Sequence, residues 1–260
     1  MGLSSMIAIA KEPPFRRLIK PLVRTLPFSP HVKSLWDAAD YPQYLLGVLH
    51  ASRQGPTSVI EFGVGAGHGL IALQRHAIAV EHVSRHPIYV YGFDTGVGLP
   101  RGTDDYRDHP DYFRSGDFPM DTFDLLRQLE PRSELILGDV AETVLTQTFK
   151  APIGFMAFDL DLYSSTAAAL VLFHRADVPR LRRTALYFDD VALECNHRFA
   201  GELLAIEEFN AKSDTVKIDQ WRGVRHGRPF PEAAWLDGMY VAHDLQGMVR
   251  TTRSVRARAR

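Results

Sequence analysis

The residues in this chain best suited to chemistry are a run of alternating glycines and a set of carboxylates at regular places. Positions 58–69 read SVIEFGVGAGHG. A short β-branched run ends in an acid, Glu61, and Gly63, Gly65, Gly67 and Gly69 then fall at every second position. That pattern reads as a strand entering a turn where backbone approaches a ligand closely, with a helix starting just after. A dinucleotide fingerprint would need G-x-G-x-x-G. Counting from Gly63 the sixth position is His68, and counting from Gly65 it is Leu70. The turn is therefore E-x-G-x-G-x-G. A glycine-rich loop with no ligand is the simpler alternative.

Open α/β sheets bind ligands at the carboxyl ends of their strands. Here each expected main strand ends in an acid: Glu61, Asp94, Asp139, Asp159 and the pair Asp189 and Asp190. One acid at such a boundary is ordinarily a helix cap. A full set along one edge points to a site. Asp94, 33 residues after Glu61, is placed to accept both ribose hydroxyls of an adenosine. Gly138 and Asp139 would border the adenine. Strand alternation would put Asp159 and Asp161 on one side of a strand's end. Two carboxylates there repel unless a cation or proton separates them. With Asp189 and Asp190 from the next strand, they suit a hard divalent cation, Mg²⁺ first. The simpler reading is that Asp161 caps a helix and the Asp pair is a solvated loop.

These residues need a sheet to position them. The pattern predicts helices over 40–52, 68–85, 122–129, 141–149, 165–176 and 200–210. It predicts strands over 58–62, 88–93, 134–137, 153–158 and 184–188, with 216–221 and 239–243 as a terminal antiparallel pair. The main strands are apolar without alternation, which indicates burial on both faces and a parallel sheet. The expected fold is α/β: one Rossmann-like doubly wound sheet, mostly parallel, over 36–245. Residues 95–120, rich in Gly, Pro and Asp, read as a loop or insertion.

The ends read differently. Residues 1–35 mix Arg16, Arg17, Lys20 and Arg24 with Phe15, Leu18 and Leu22, punctuated by prolines. This is expected to be a basic arm or lid over the site or against a partner subunit, with a long helix disfavoured by its prolines. A homodimer is compatible with such an arm. Residues 246–260 read as a basic, disordered tail.

With 260 residues, net charge −1 and 45% hydrophobic residues, the composition is that of an ordinary globular domain. Near-neutral charge argues against nucleic acid as a partner. The single cysteine, Cys195, excludes a disulfide framework and fits a reducing, cytoplasmic setting. No run approaches the ~18 apolar residues of a membrane span. No secretory or myristoylation pattern is read at the N-terminus. His68 reads as a helix-start residue. His197, after the Asp pair, could be a second base or a substrate contact, whereas Trp221, Trp235 and Tyr240 read as core.

The first turn is similar to motif I of class I S-adenosylmethionine (SAM) methyltransferases. Together with YGFDTGVGLP at 91–100, GDVAET at 138–143, DLDLYSST at 159–166 and FDD at 188–190, it resembles the macrocin O-methyltransferase family, over about residues 58–210. The resemblance implies a SAM- and Mg²⁺-dependent O-methyltransferase acting on a hydroxyl of a small molecule, a sugar or other vicinal diol. It places metal ligands at Asp159, Asp189 and Asp190 and a general base at Asp161. It places SAM at Glu61, Gly63, Gly65 and Gly67, with Asp94 on the ribose. The chain departs from the family pattern at Leu160, Val191 and Gly96–Val97, which bears on substrate identity. EEFN at 207–210 also resembles a related Mg²⁺-binding branch, the cephalosporin hydroxylase-like proteins. The remaining alternatives are a non-methylating nucleotide-binding module and a nicotinamide oxidoreductase; the missing fingerprint argues against the latter.

Overall fold

The computed structural model describes residues 12–100, 105–195 and 197–249. The first residues of the arm, part of the 95–120 loop and most of the C-terminal tail lie outside them. Seven strands form one sheet: β1 (Thr57–Phe62), β2 (Ile88–Asp94), β3 (Ser133–Leu137), β4 (Ile153–Phe158), β5 (Arg180–Phe188), β6 (Val216–Gln220) and β7 (Met239–Asp244). Their order is β3-β2-β1-β4-β5-β7-β6. The first five strands are parallel, and β7 runs antiparallel to both β5 and β6. The chain reverses direction of travel across the sheet between β1 and β4, the place where open sheets leave a crevice.

Helices cover both faces. On one lie α3 (Pro42–Ala51) and α4 (His68–Ser84), packed through Tyr44, Val48, Leu70 and Leu73 onto Val59, Phe155, Ala157 and Tyr187. On the other lie α6 (Val140–Thr146), α7 (Tyr163–Leu170) and α8 (Gly201–Lys212), against Ile60, Met156, Leu186 and their neighbours. α5 (Thr122–Gln128) precedes β3. Strand alternation thus sends odd and even residues to different cores. On the second face Phe93, Phe62, Phe158 and Phe188 form a row across four strands, with ring centroids 5.0, 5.1 and 4.6 Å apart. Such pairs add about 0.5–1.5 kcal/mol each beyond their buried area. The row ties the strand ends into one rigid edge.

Most boundaries match the pattern within two or three residues. Two expectations need correction. β5 starts at Arg180 rather than 184, because its first residues extend beyond the apolar run that marks it in sequence. α7 begins two residues early, at Tyr163, and gives way after Leu170 to a 3₁₀ turn, Val171–His174. In the arm, α1 (Phe15–Thr25) spans 11 residues and runs through Pro21. It is short and docks sideways: Arg16 binds Glu232 and the Pro229 carbonyl, Lys20 binds Asp37, and Trp235 Nε1 donates to Asp37 at 2.8 Å. α2 (Pro30–Leu35) then leads into α3. No helix among the described residues is long and apolar enough to cross a membrane.

Candidate active site

The glycine turn is shaped first by the chain itself. Gly63 has φ +80°, and a Cβ there would fall inside the Asp159 carbonyl at the end of β4. At Gly69 a Cβ would overlap Glu61 Oε1. The close approaches that the glycines permit are therefore between β1, β4 and α4, and they leave the space above the turn open. Asp94 holds that shape. Its Oδ2 accepts from the amides of Val64 (2.8 Å) and Gly65 (2.9 Å), and its Oδ1 accepts from Gly96 (2.7 Å). These bonds leave Asp94 limited capacity for a further donor.

Glu61 is set apart from the other acids. It pairs with Gly92 and Ala157, one position inside the sheet edge, and is 1% exposed. Tyr44 donates to Oε1 at 2.6 Å, while Oε2 is buried with no hydrogen-bond partner. Burial raises its pKa to about 8, the Tyr44 bond pulls it back, and the charges of Asp94 and Asp189 push it up. Asp139 caps α6 by accepting from Ala141 N at 2.8 Å. The capping explanation therefore holds for Asp139, although it also borders the cleft.

It does not hold for Asp161. The residue before α7 is Leu162, without a side-chain cap, and the Ser164 amide is taken by Asp108 Oδ1 at 2.7 Å. Nor does strand alternation place Asp161, because β4 ends at Phe158. A left-handed backbone at Asp161 (φ +61°) makes the turn instead. That conformation is uncommon for a residue with a side chain. Among the described residues no hydrogen bond reaches the carboxylates of Asp159 or Asp161.

One cleft joins these groups. Glu61, Gly63, Gly65, Asp94, Gly138, Asp139, Asp159 and Asp161 all line it, with Tyr41, His68, Leu99, Phe118 and Ser165 among the other walls. Gly67 does not line this cleft; it lines a neighbouring hollow. Oxygens of Asp159, Asp161 and Asp190 lie within 4.8 Å of one another. Asp189 stands outside that group, exposed, and accepts from the Tyr187 hydroxyl at 2.7 Å. Asp190 is buried, and its amide donates to Glu202 Oε2 at 3.0 Å.

The electrostatics are one-sided. Burial first, then Asp189, Glu61, Asp190 and Asp161, hold Asp159 well above the usual carboxylate range. Burial, Asp189 and Asp117 raise Asp161 to about 6. Burial, Asp161 and Asp189 raise Asp190 to about 7, with a backbone hydrogen bond from Asp161 acting against them. Glu202, fully buried, is raised by burial and by Asp190 and Asp159. An all-oxygen, all-acid donor set of this kind fits a hard divalent cation, which removes the mutual repulsion.

Tyr44, Tyr187 and Glu202 had no signal in the sequence, where they read as core or helix residues. His68 begins α4 and lines the cleft. His197 stands 5.8 Å, ring to ring, from His109, whose Nε2 is buried and unpartnered. Tyr240 packs edge-on against Phe188 and Trp221 edge-on against His50, both half-buried at the margin of the core.

A seven-stranded sheet of this order, with its cleft over β1 and β4, is the Rossmann-like fold used by methyltransferases. Among solved structures, the chain is similar to CalS11, a calicheamicin methyltransferase, with 20% identity over 90% of this chain and 93% of that one and a TM-score of 0.51. It is also similar to the O-methyltransferase NovP, with 17% identity over 80% of this chain and 90% of that one and a TM-score of 0.50. No protein-family model matches the chain, and no curated protein matches it in sequence.

Proposed function

We propose that this chain is a SAM-dependent O-methyltransferase that acts on a hydroxyl of a vicinal diol, such as a sugar of a natural product, with the help of Mg²⁺. The observation that carries the reading is that Asp159 and Asp161, free of capping duty, line the same cleft as Glu61, Gly63 and Asp94. The resemblance to the macrocin O-methyltransferase family and the fold shared with CalS11 and NovP support it.

In this reading Glu61, Gly63, Gly65, Asp94, Gly138 and Asp139 form the cofactor side, and Gly67 only closes the turn behind them. Glu61 Oε2, buried and unpartnered, suits the cofactor's ammonium group. Asp159 and Asp190, whose oxygens converge with that of Asp161, would hold the cation; the resemblance adds Asp189 as a third ligand, although its side chain stands outside that group. SAM supplies an activated methyl group, and Mg²⁺ would acidify and orient the acceptor hydroxyl. Asp161 then takes the hydroxyl proton on its carboxylate. Before a cation is bound, burial, Asp189 and Asp117 raise Asp161 to about 6; a bound cation would lower it and keep the carboxylate ionised at neutrality, and a general base of this kind is worth roughly 10²–10⁴-fold in rate. The rigid strand edge holds acceptor and cofactor in line, which removes much of the entropy of bringing them together.

The test is transfer of isotopically labelled methyl from SAM to a panel of glycosides bearing vicinal hydroxyls, with and without EDTA. Transfer that needs Mg²⁺ is expected. Full activity in EDTA would end the metal-assisted scheme, and no transfer to any hydroxyl acceptor would end the methyltransferase reading.

A further inference from the structure

The acids at the strand ends differ in what holds the chain beneath them. The residue after β4 is held by β1 and the residue after β5 by β4: the Asp159 amide donates to the Phe62 carbonyl at 2.8 Å, and the Asp189 amide to the Phe158 carbonyl at 3.0 Å. Asp190 lies one residue further on, where the chain has turned into a short 3₁₀ segment, Asp190–Ala192. Its amide goes to a side chain instead and donates to Glu202 Oε2 at 3.0 Å. Glu202 comes from the first turn of α8 and is 0% exposed. A carboxylate suits that place, because a helix N-terminus favours negative charge. Asp190, buried as well, accepts in turn from the amide of Asp161, the residue whose left-handed backbone makes the turn after β4. The two bonds form a chain from α8 through Asp190 to Asp161. It ends where oxygens of Asp159, Asp161 and Asp190 converge within 4.8 Å of one another.

We propose that Glu202 is a positioning residue for the cation site: by holding the Asp190 amide it fixes the Asp190 carboxylate among the converging acids and, through that carboxylate, the turn that presents Asp161. The proposal rests on the cation reading above. Its physical ground is that ligands already held in place lose less freedom when the ion binds, and outer partners of this kind are typically worth about 10–100-fold in metal affinity. The simpler role for Glu202 is to satisfy one buried amide. That role carries a cost in stability alone. The positioning role carries a cost in metal affinity, which an amide oxygen at 202 restores.

The experiment is calorimetric titration of Mg²⁺ into the S-adenosylhomocysteine complex of the parent, Glu202→Met, Glu202→Asp, Glu202→Gln and Asp190→Asn, with near-ultraviolet circular dichroism as a check of fold. Asp190→Asn is expected to abolish Mg²⁺ binding. Glu202→Met removes the acceptor and should weaken Mg²⁺ by about 10–100-fold, with S-adenosylhomocysteine affinity unchanged within about threefold. Glu202→Asp withdraws the acceptor by one methylene but keeps the charge; it should weaken Mg²⁺ in the same direction, and it decides in place of Glu202→Met if that variant does not fold. Glu202→Gln keeps an acceptor oxygen for the Asp190 amide and should bind Mg²⁺ within about threefold of the parent. If the folded Glu202→Met or Glu202→Asp protein binds Mg²⁺ within about twofold of the parent while Asp190→Asn does not bind it, Glu202 only satisfies a buried amide and the proposal falls alone. It also falls if Glu202→Gln weakens Mg²⁺ as much as Glu202→Met does, because the charge of Glu202 and not its hydrogen bond would then act on the ion. If the parent itself binds no Mg²⁺, or Asp190→Asn binds it like the parent, the assignment of Asp190 to the cation falls and takes the role of Glu202 with it.

Discussion

The two ends of the cleft are built on different principles. At the β1–β2–β3 end every acid is already engaged: Glu61 with Tyr44, Asp94 with three amides, Asp139 with the first turn of α6. At the β4–β5 end Asp159 and Asp161 have no donor among the described residues and sit beside Asp190, and the charges raising their pKa values are other acids. The first end is a finished scaffold that shapes a space. The second is held in a state of mutual repulsion, and repulsion of this kind is relieved by a bound cation or by protonation. A scaffold should respond to mutation through stability and cofactor affinity, and a repelling cluster through metal dependence and turnover.

The sharpest test of that contrast is Asp161→Asn. It should retain S-adenosylhomocysteine binding and lose turnover by about 10²–10⁴-fold, read in a labelled-methyl assay. With Mg²⁺ bound the acid limb of kcat/KM should fall below pH 6, because the cation offsets the repulsion that raises Asp161. Loss of cofactor binding in this variant would break the division of labour.

Next comes Asp94→Ala, which strands the amides of Val64, Gly65 and Gly96. Hydrogen bonds to a charged group are worth about 1.5–3 kcal/mol, so S-adenosylhomocysteine affinity should drop about 10–100-fold by calorimetry, with Mg²⁺ affinity little changed.

Glu61→Gln should affect stability with a distinctive pH dependence. The folded pKa of Glu61, about 8, lies above its unfolded value. Its contribution to stability is therefore complete below the ordinary carboxylate range and is lost as pH rises through about 8. Gln keeps the acceptor for Tyr44 and never ionises. The variant should thus melt higher than the parent at pH 8, by about 2–4 °C per kcal/mol relieved, and match it near pH 4. A constant difference across that range would show that Glu61 is ionised in the fold.

The smallest effect is expected outside the cleft. Arg198 and Glu207 form an exposed pair at 3.2 Å, and Arg198→Ala should shift stability by less than about 1 kcal/mol without touching either binding constant.

Much of this was legible in the chain. The strand sequence, the long α4, the antiparallel C-terminal strands and the acids at the strand tips follow from apolar runs, glycine spacing and charge, because parallel strands must be buried on both faces and their ends must turn. The resemblance carried by DLDLYSST and FDD added roles for Asp159, Asp161, Asp189 and Asp190 that spacing alone left open. Less was legible about how the acids are held. Asp161 reaches its place through a left-handed backbone rather than strand alternation, and Gly63 and Gly69 serve close packing of the chain on itself. Those facts depend on which segments meet.

What the sequence alone determined is therefore the sheet, its edge and the chemical types gathered there, since these depend on local periodicity and on where each strand stops. What only the tertiary structure decided is which acids are satisfied and which are not. Tyr44 and Glu61 are 17 residues apart, Asp190 and Glu202 are 12 apart, and Asp108 reaches Ser164 across 56. Donors that distant meet their acceptors only when the layers pack. Among the described residues, that packing leaves the Asp159 and Asp161 carboxylates with no donor.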